Sequence, residues 1–209
     1  MNKCIIIGDG PSRNLIDMEA VEKSGITTIG THRCTENPTI VPDYVVWNDP
    51  DVAEEQKAHI EALRATNGKP LVLGRRGAKL PLEVPCERLY GLNNKHSYKP
   101  LFGTNIDELN LYTFNTGTLA IQLAHVMGAR KIGIVGMDLY YSENLTHYFG
   151  DGRPRGASDA MFHRAVDWFT MFSRRFRRNN PRLVMLWQDT LCPLTGIVDY
   201  ESVEDFITS

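Results

Sequence analysis

The sequence has no long hydrophobic run and no excess of charge of one sign. No apolar stretch in its 209 residues approaches the roughly 20 residues that a transmembrane helix needs. The first apolar run, at residues 4–7, is too short for a secretory signal peptide, and no small-residue cleavage site follows it. These absences predict a protein without a membrane span, and we expect it in the cytoplasm.

The sequence also has no closely paired cysteines. Its four cysteines are Cys4, Cys34, Cys86 and Cys192, and none forms a Cys-x-x-Cys pair, which excludes a zinc ribbon and argues against a disulfide framework. Lys and Arg total 23 against 25 for Asp and Glu, so the formal net charge is −2. This balance argues against a surface built as a whole for nucleic acid or anionic membrane, although it leaves room for a local basic patch.

Short β-rich runs alternate with helical patterns along most of the chain. The predicted strands are residues 4–7, 26–29, 44–47, 71–73, 131–136 and 183–187. The predicted helices are residues 11–24, 52–66, 119–127 and 161–176. This alternation predicts an α/β, Rossmann-like fold, with a mostly parallel sheet and helices on both faces. We expect a single domain over residues 1–209, with an irregular insertion at 74–110.

Three polar segments follow predicted strands, at the edge where open parallel sheets bind ligands. They are Gly8-Asp9-Gly10-Pro11-Ser12, Trp47-Asn48-Asp49-Pro50 and Gly136-Met137-Asp138-Leu139-Tyr140. In the first segment, glycine lets a phosphate approach the backbone, and proline suits the start of a helix whose N-terminus attracts anions. That segment is neither Gly-x-Gly-x-x-Gly nor a Walker sequence, which argues against a dinucleotide cofactor or a P-loop ATPase. A plain strand-to-helix turn is the alternative interpretation.

Two further features are compatible with a ligand or with an ordinary structural role. Asn115-Thr116-Gly117 precedes a buried helical pattern and suits either ligand contact or a helix N-cap. Asp138 could accept hydrogen bonds from a ribose or a base, or cap the next turn.

Among the six histidines, His147 is the candidate general base. It lies in a polar segment with Tyr140, Tyr141 and Tyr148, after a strand end expected to face the ligand. Histidine is the commonest general base near neutral pH. An ordinary loop histidine is the alternative.

Five arginines follow the phenylalanine-rich helical pattern. They are Arg174, Arg175, Arg177, Arg178 and Arg182. Because cations are favourable near a helix C-terminus, the pattern favours a solvated helix end, and a phosphate or nucleic-acid contact is the alternative.

Taken in order, these segments resemble the bacterial sialyltransferases of glycosyltransferase family 42. They are also similar to the wider superfamily that holds the domain of unknown function 115 and the archaeal hydroxymethyl-dihydropterin pyrophosphokinases. Residues 5–12 look like the family's opening strand and Gly-Asn-Gly-Pro-Ser loop, and residues 47–50 like its aromatic-Asn-Pro strand end. Residues 115–117 and 136–140 resemble its Thr-Ser-Gly helix and Gly-Ile-Asp-Phe-Tyr strand end. His147-Tyr148-Phe149-Gly150 resembles its catalytic His-Tyr-Ile-Gly.

The resemblance implies a glycosyltransferase that moves a sugar from a CMP- or UDP-linked donor to an acceptor hydroxyl, with no metal or other cofactor. His147 would take the acceptor proton, and Tyr140 would bind the leaving phosphate. The nucleotide-binding residues would be Gly8, Asp9, Gly10, Pro11, Ser12, Thr31, Asn48, Asn115, Thr116, Gly117, Gly136 and Asp138. The acceptor would be a glycan, a small molecule or a modified DNA base. A homo-oligomer is compatible with each of these functions.

The chain departs from the family at four places. Asp9 replaces the family's Asn, which would place a carboxylate near a phosphate. Thr31 stands where an Asn follows the second strand, and Thr113 replaces the family's Arg. The segment between Tyr141 and His147 is short where the sialyltransferases insert a long lid, so we expect a reduced lid.

Two other functions fit the same residues. In a magnesium-dependent pyrophosphokinase or other phosphoryl-transfer enzyme, Asp9, Asp49 and Asp138 would gather Mg²⁺ and ATP phosphates. The third interpretation is a nucleotide-binding module without catalysis.

Overall fold

In the computed structural model, strands and helices alternate around one sheet. The structure describes residues 1–31, 33–36, 40–75, 86–90, 105–109, 115–139, 159–176 and 181–209. The strands are β1 (Lys3–Ile7), β2 (Thr27–Thr31), β3 (Tyr44–Trp47), β4 (Leu71–Arg75), β5 (Cys86–Tyr90), β6 (Lys131–Val135), β7 (Arg182–Met185) and β8 (Asp199–Tyr200). The helices are α1 (Met18–Lys23), α2 (Pro50–Asn67), α3 (Thr116–Val126), α4 (Asp159–Phe176) and α5 (Val203–Thr208), with a 3-10 helix at Pro11–Leu15.

The sheet has the strand order β5-β4-β3-β2-β1-β6-β7-β8. Every pairing between these strands is parallel. The predicted α/β, Rossmann-like fold is therefore confirmed.

Helices cover both faces of the sheet. The chain moves outward from β1 to β4 in one direction, and later from β6 to β8 in the other. Because crossovers between parallel strands are right-handed, α1 and α2 lie on one face and α3 and α4 on the other. The ring of His125 on α3 contacts that of Phe176 on α4, with centroids 5.2 Å apart, which agrees with a shared face.

The core is built around the central strand β1 and helix α3. Cys4, Ile5, Ile6 and Ile7 of β1 are fully buried, since β1 is paired on both edges and covered on both faces. Helix α3 is buried from its first residue through Ala124. In the described part of the chain, no helix combines the length and apolar character that crossing a membrane would need.

The first helical segment differs from the prediction of one continuous helix over residues 11–24. The chain forms the 3-10 helix Pro11–Leu15, breaks, and starts α1 at Met18. The break occurs because the Asp17 side chain accepts a backbone N–H three residues further on and so caps a new helix. As a result Leu15, which the apolar pattern placed in the core, is 66% exposed.

The predicted irregular insertion at 74–110 is wrong in part, since β5 lies inside it and pairs with β4. Residues 76–85, 91–104 and 110 of that insertion lie outside the described residues. Strand β8 and helix α5 were also not predicted. They contain two and six residues, too few for a hydrophobic period to be visible.

Candidate functional site

The strand order reverses between β1 and β6, the position at which open parallel sheets have a ligand-binding crevice beyond the carboxyl ends of the strands. The loop after β1 and the loop after β6 are joined there by backbone hydrogen bonds. The N–H of Gly8 donates to the carbonyl of Val135 at 2.8 Å, and the N–H of Gly10 donates to the carbonyl of Gly136 at 2.8 Å. The two polar segments predicted from the sequence are therefore in direct contact.

The glycines at this junction have no room for side chains. A Cβ on Gly8 would overlap the carbonyl oxygen of Gly136, and one on Gly10 would overlap Oδ2 of Asp138. Gly136 itself has a φ of 70°, which other residues rarely adopt. Contact between the two loops thus accounts for these glycines before any ligand is considered.

Ser12 and Asp138 link the same two loops through their side chains. The Ser12 hydroxyl donates to Oδ2 of Asp138 at 3.0 Å, and it accepts the N–H of Gly136 at 2.9 Å. The backbone N–H of Ser12 also points to Oδ2, at 3.4 Å. Burial raises the pKa of Asp138 to about 6, although the Ser12 hydrogen bonds act in the opposite direction.

Asp9 points away from this junction, toward the loop after β2. Its Oδ2 accepts the N–H of Arg33 at 3.3 Å, while its Oδ1 is buried with no partner among the described residues. Burial raises the pKa of Asp9 to about 7, against the lowering effects of the Arg33 hydrogen bond and the nearby charge of Arg13. Burial therefore favours the neutral carboxylic acid at this position more than at an exposed aspartate.

Two other predicted site residues carry buried polar atoms without partners. Oδ1 of Asn48, just after β3, and Oγ1 of Thr116, at the start of α3, have no hydrogen-bond partner within the described ranges. A buried polar atom left unpaired costs roughly 1–3 kcal/mol. Together with Asp9 Oδ1, three such atoms lie at the carboxyl edge of the sheet, where a ligand or water would satisfy them.

The start of α3 packs against the β6 loop. A Cβ on Gly117 would lie 3.0 Å from Sδ of Met137 and would overlap its methyl group. Asn115 is the N-cap, because its Oδ1 accepts the N–H of Gly117 at 2.7 Å. The cap interpretation of Asn115 is therefore confirmed, and the threonine that follows keeps a hydroxyl available.

Two predicted site residues have local structural roles. Thr31 ends β2, is 3% exposed, and its carbonyl accepts the N–H of Cys34 at 2.9 Å. Pro11 starts the five-residue 3-10 helix, so the predicted α-helical N-terminus is wrong at this loop. A helix this short and tightly wound has less of the aligned dipole that attracts a phosphate.

Sequence reasoning missed Arg13, which is only 2% exposed. Its guanidinium donates to the carbonyl of Cys34, so the 3-10 helix holds the loop after β2 beside Asp9. Arg33 of that loop forms ion pairs with Glu36 and with Glu55 of α2. Nothing in the sequence distinguishes Arg13 from a surface arginine, because its burial depends on loops that meet only in the fold.

Sequence reasoning assigned no role to Leu139 or to Cys192. Leu139 has a φ of 56°, and it is the one non-glycine residue with a positive φ in the described part of the chain. This left-handed conformation costs a leucine roughly 1–2 kcal/mol. The Cys192 thiol donates to the carbonyl of Asp138, the residue before Leu139, at 3.3 Å.

The described arginines of the basic cluster lie at the amino ends of the strands, opposite the edge that holds the candidate site. Arg182 begins β7 and is 3.5 Å from a carboxylate oxygen of Asp199. Arg174 and Arg175 are exposed in the last turn of α4, as expected for a solvated helix end. Arg177 and Arg178 lie outside the described residues.

The two predicted catalytic residues, Tyr140 and His147, lie outside the described residues, as does the short segment expected to be a reduced lid. In the part of the chain that the structure describes, no three His, Cys, Asp or Glu side chains are grouped to hold a metal ion.

Comparison with known proteins shows similarity in fold. No protein-family model and no curated protein matches the sequence. The sialyltransferase CstII from Campylobacter jejuni, solved with the substrate analogue CMP-3FNeuAc, matches with a TM-score of 0.57 and 15% identity over 98% of this chain and 88% of that chain. The sialyltransferase CST-II with trisaccharide acceptor and CMP gives 0.56 and 15%, over 100% of this chain and 89% of that chain.

The MAf glycosyltransferase from Magnetospirillum magneticum AMB-1 matches with a TM-score of 0.62 and 14% identity. The match covers 98% of this chain and 34% of that protein, so this chain spans about a third of its length. At such identities, these likenesses establish a shared α/β fold.

Proposed function

We propose that this protein is a glycosyltransferase that moves a sugar from a nucleotide-linked donor to an acceptor hydroxyl. The observation that carries the proposal is the group of buried, unpartnered polar atoms on Asp9, Asn48 and Thr116 at the carboxyl edge of the sheet. The shared fold with sialyltransferases solved with CMP or a CMP-linked analogue supports a nucleotide as the occupant.

The chemistry of these atoms suits a nucleoside. Oδ1 of Asp9 and Oδ1 of Asn48 are hydrogen-bond acceptors, which complement the hydroxyl groups of a ribose and the amino group of a base. The hydroxyl of Thr116 can donate or accept. An ionised Asp9 would repel a phosphate, so we place the phosphate nearer to Tyr140, the residue that the motif resemblance implicates.

The proposed reaction is a direct displacement at the anomeric carbon. The acceptor oxygen forms the new bond, His147 takes its proton, and the bond between the sugar and the phosphate breaks. The leaving nucleotide keeps the electron pair, and the Tyr140 hydroxyl stabilises the charge that develops on its phosphate. The roles of these two residues rest on the His-Tyr-Phe-Gly and Gly-Met-Asp-Leu-Tyr motifs.

We further propose that the reaction needs no metal ion. The alternative phosphoryl transfer would require Asp9, Asp49 and Asp138 to gather Mg²⁺. Oδ2 of Asp138 is already held by Ser12, and the Asp9 carboxyl points toward the loop after β2. Both arrangements favour a nucleotide that is bound by hydrogen bonds, and they do not favour a nucleotide that is bound through a shared cation.

A thermal-shift panel tests the proposal with CMP, UDP, GDP and ATP, each with Mg²⁺ and with EDTA. We expect CMP or UDP to raise the melting temperature equally in both conditions, since a ligand that binds the native state stabilises it. Release of free sugar from the matching CMP- or UDP-linked donor should follow, and EDTA should not reduce it. Stabilisation by ATP with Mg²⁺ alone would favour the pyrophosphokinase, and binding without turnover of any donor would favour the non-catalytic module.

A further inference from the structure

The loops after β1, β6 and β7 meet at Asp138. Its Oδ2 accepts the hydroxyl of Ser12 from the first loop, at 3.0 Å. Its backbone carbonyl accepts the thiol of Cys192 from the third loop, at 3.3 Å. Asp138 is 4% exposed and Cys192 is 2% exposed, so both contacts lie in the interior. The side chain and the main chain of one residue are thus held by two different loops.

The backbone has an unusual conformation directly after this residue. Leu139 has a φ of 56° and is 7% exposed, so a buried leucine occupies a conformation that is normally left to glycine. Such a conformation persists only where the surrounding contacts impose it. The next residue in the chain is Tyr140.

We infer that Cys192 is a positioning residue: by holding the Asp138 carbonyl, it keeps Leu139 in the left-handed conformation and so fixes the direction in which the main chain leaves Leu139, the residue before Tyr140. The inference rests on the proposed function for the role of Tyr140 in binding the leaving phosphate. It adds the β7 loop to the residues that shape the reaction.

The thiol is well suited to this role because its own turn fixes it. The N–H of Cys192 donates to the carbonyl of Asp189 at 3.2 Å, and the N–H of Thr195 donates to the carbonyl of Cys192 at 3.0 Å. The side chain of Asp189 also accepts the N–H of Leu191 at 2.9 Å. Burial raises the pKa of the Cys192 thiol to about 11, so the S–H donor is retained at neutral pH.

The first test compares Cys192→Ala and Cys192→Ser with Cys4→Ala. Cys4 is a matched control because it is an equally buried cysteine near the start of β1, away from the crevice. With the CMP- or UDP-linked donor that the native protein hydrolyses, we expect Cys192→Ala to lower kcat about tenfold, as small misplacements of reacting groups do. The Kd for the nucleoside, which has no phosphate for Tyr140 to bind, should stay within about twofold, since Ser12 still holds the Asp138 carboxylate.

Rescue by the conservative variant separates positioning from packing. Cys192→Ser keeps an O–H donor and should recover most of kcat, whereas Cys4→Ala should lower stability and leave kcat unchanged. Equal kcat in Cys192→Ala and Cys4→Ala would overturn the inference.

The second test acts on the conformation of Leu139. Leu139→Ile conserves side-chain volume but introduces a β-branch, which strongly disfavours a positive φ, while Leu139→Met conserves volume without the branch. We expect kcat to fall in Leu139→Ile and to be retained in Leu139→Met. Equal kcat in the two variants would show that the left-handed conformation of Leu139 does not matter for the reaction, which would overturn the inference.

Hydrogen–deuterium exchange over residues 137–141 provides a readout that needs no turnover. Exchange should speed up in Cys192→Ala and not in Cys4→Ala, and unchanged exchange in both would overturn the inference. A native protein that hydrolyses no donor, combined with faster exchange in Cys192→Ala, would instead refute the proposed function and leave the contact between the two loops established.

Discussion

Gly10 and Asp138 are packed so closely that a Cβ on residue 10 would overlap Oδ2 of the aspartate. That same oxygen accepts the Ser12 hydroxyl. The position of one carboxylate oxygen therefore limits what the opening loop can contain. A larger residue at position 10 must displace either the loop or Asp138, and both are parts of the proposed nucleotide site.

We expect Gly10→Val to abolish nucleotide binding while circular dichroism still shows a folded protein. The added side chain would also approach the carbonyl of Gly136, where even the Cβ would lie 2.8 Å away. Gly25→Ala is the control, because Gly25 has a φ of 66° but nothing within 4 Å of the added Cβ. This control should lose some stability and keep its affinity in calorimetry. A folded Gly10→Val protein with native affinity would show that the loop is a plain turn.

We predict that Asn48→Ala and Asp138→Ala each weaken nucleotide binding by roughly ten- to hundredfold, the effect of losing a buried hydrogen bond worth ~1–3 kcal/mol. Asp43→Ala is a matched control at the opposite edge of the sheet, where its carboxylate accepts the N–H of Thr28 at 2.8 Å. It should reduce the free energy of unfolding without changing the Kd. Unchanged affinity in both site variants would place the nucleotide elsewhere.

The contribution of Asp9 to stability should fall as the pH rises from 5 to 7. Burial raises the pKa of Asp9 from 3.8 to about 7, so between these values the folded protein holds a proton that the unfolded chain has released. The free energy of unfolding then decreases with pH, by at most about 1.4 kcal/mol per unit for one proton, until the pH passes the folded pKa.

Urea denaturation of the native protein and of Asp9→Asn at pH 5, 6, 7 and 8 measures this dependence. The variant should show a shallower decrease, retaining the part that Asp138 contributes through its own raised pKa of about 6. The same slope in both proteins would mean that Asp9 does not titrate in this range.

For His147→Ala we predict a loss of roughly 10²–10⁴-fold in turnover with retained donor binding, as expected for a general base. The native rate should fall as the pH drops through the histidine pKa, since only neutral imidazole accepts a proton. Tyr140→Phe should lower turnover with a weaker dependence on pH. If His147→Ala weakened binding and turnover equally, the histidine would be a nucleotide contact.

The sequence predicts helices and strands well where strong local signals mark their first and last residues. Strand β3 has the bounds that the apolar run at 44–47 predicts, and Gly68 ends α2 with a φ of 71°. The 3-10 helix at Pro11–Leu15 was misjudged because the apolar spacing continues through the break that Asp17 makes. Here a side-chain cap overrides the periodicity.

The candidate site was predictable in position and not in its contacts. Polar residues at strand ends must meet at one edge of a parallel sheet, and Ser12 and Asp138 do so although 126 residues separate them. The burial of Arg13 and the contact of Cys192 with Asp138 arise from loop packing, which no local pattern encodes. That these residues bind a nucleotide stays a prediction.

The central position of β1 has a consequence for folding during synthesis. Its partner β2 follows within about twenty residues, but the strand on its other edge, β6, pairs Lys3 with Lys131. At translation rates of about 5–20 residues per second, roughly 6–25 s pass between the synthesis of these two strands. Until β6 is made, one edge of the apolar strand β1 has no partner. The nascent chain can therefore aggregate through β1, the strand that is buried at the centre of the finished sheet.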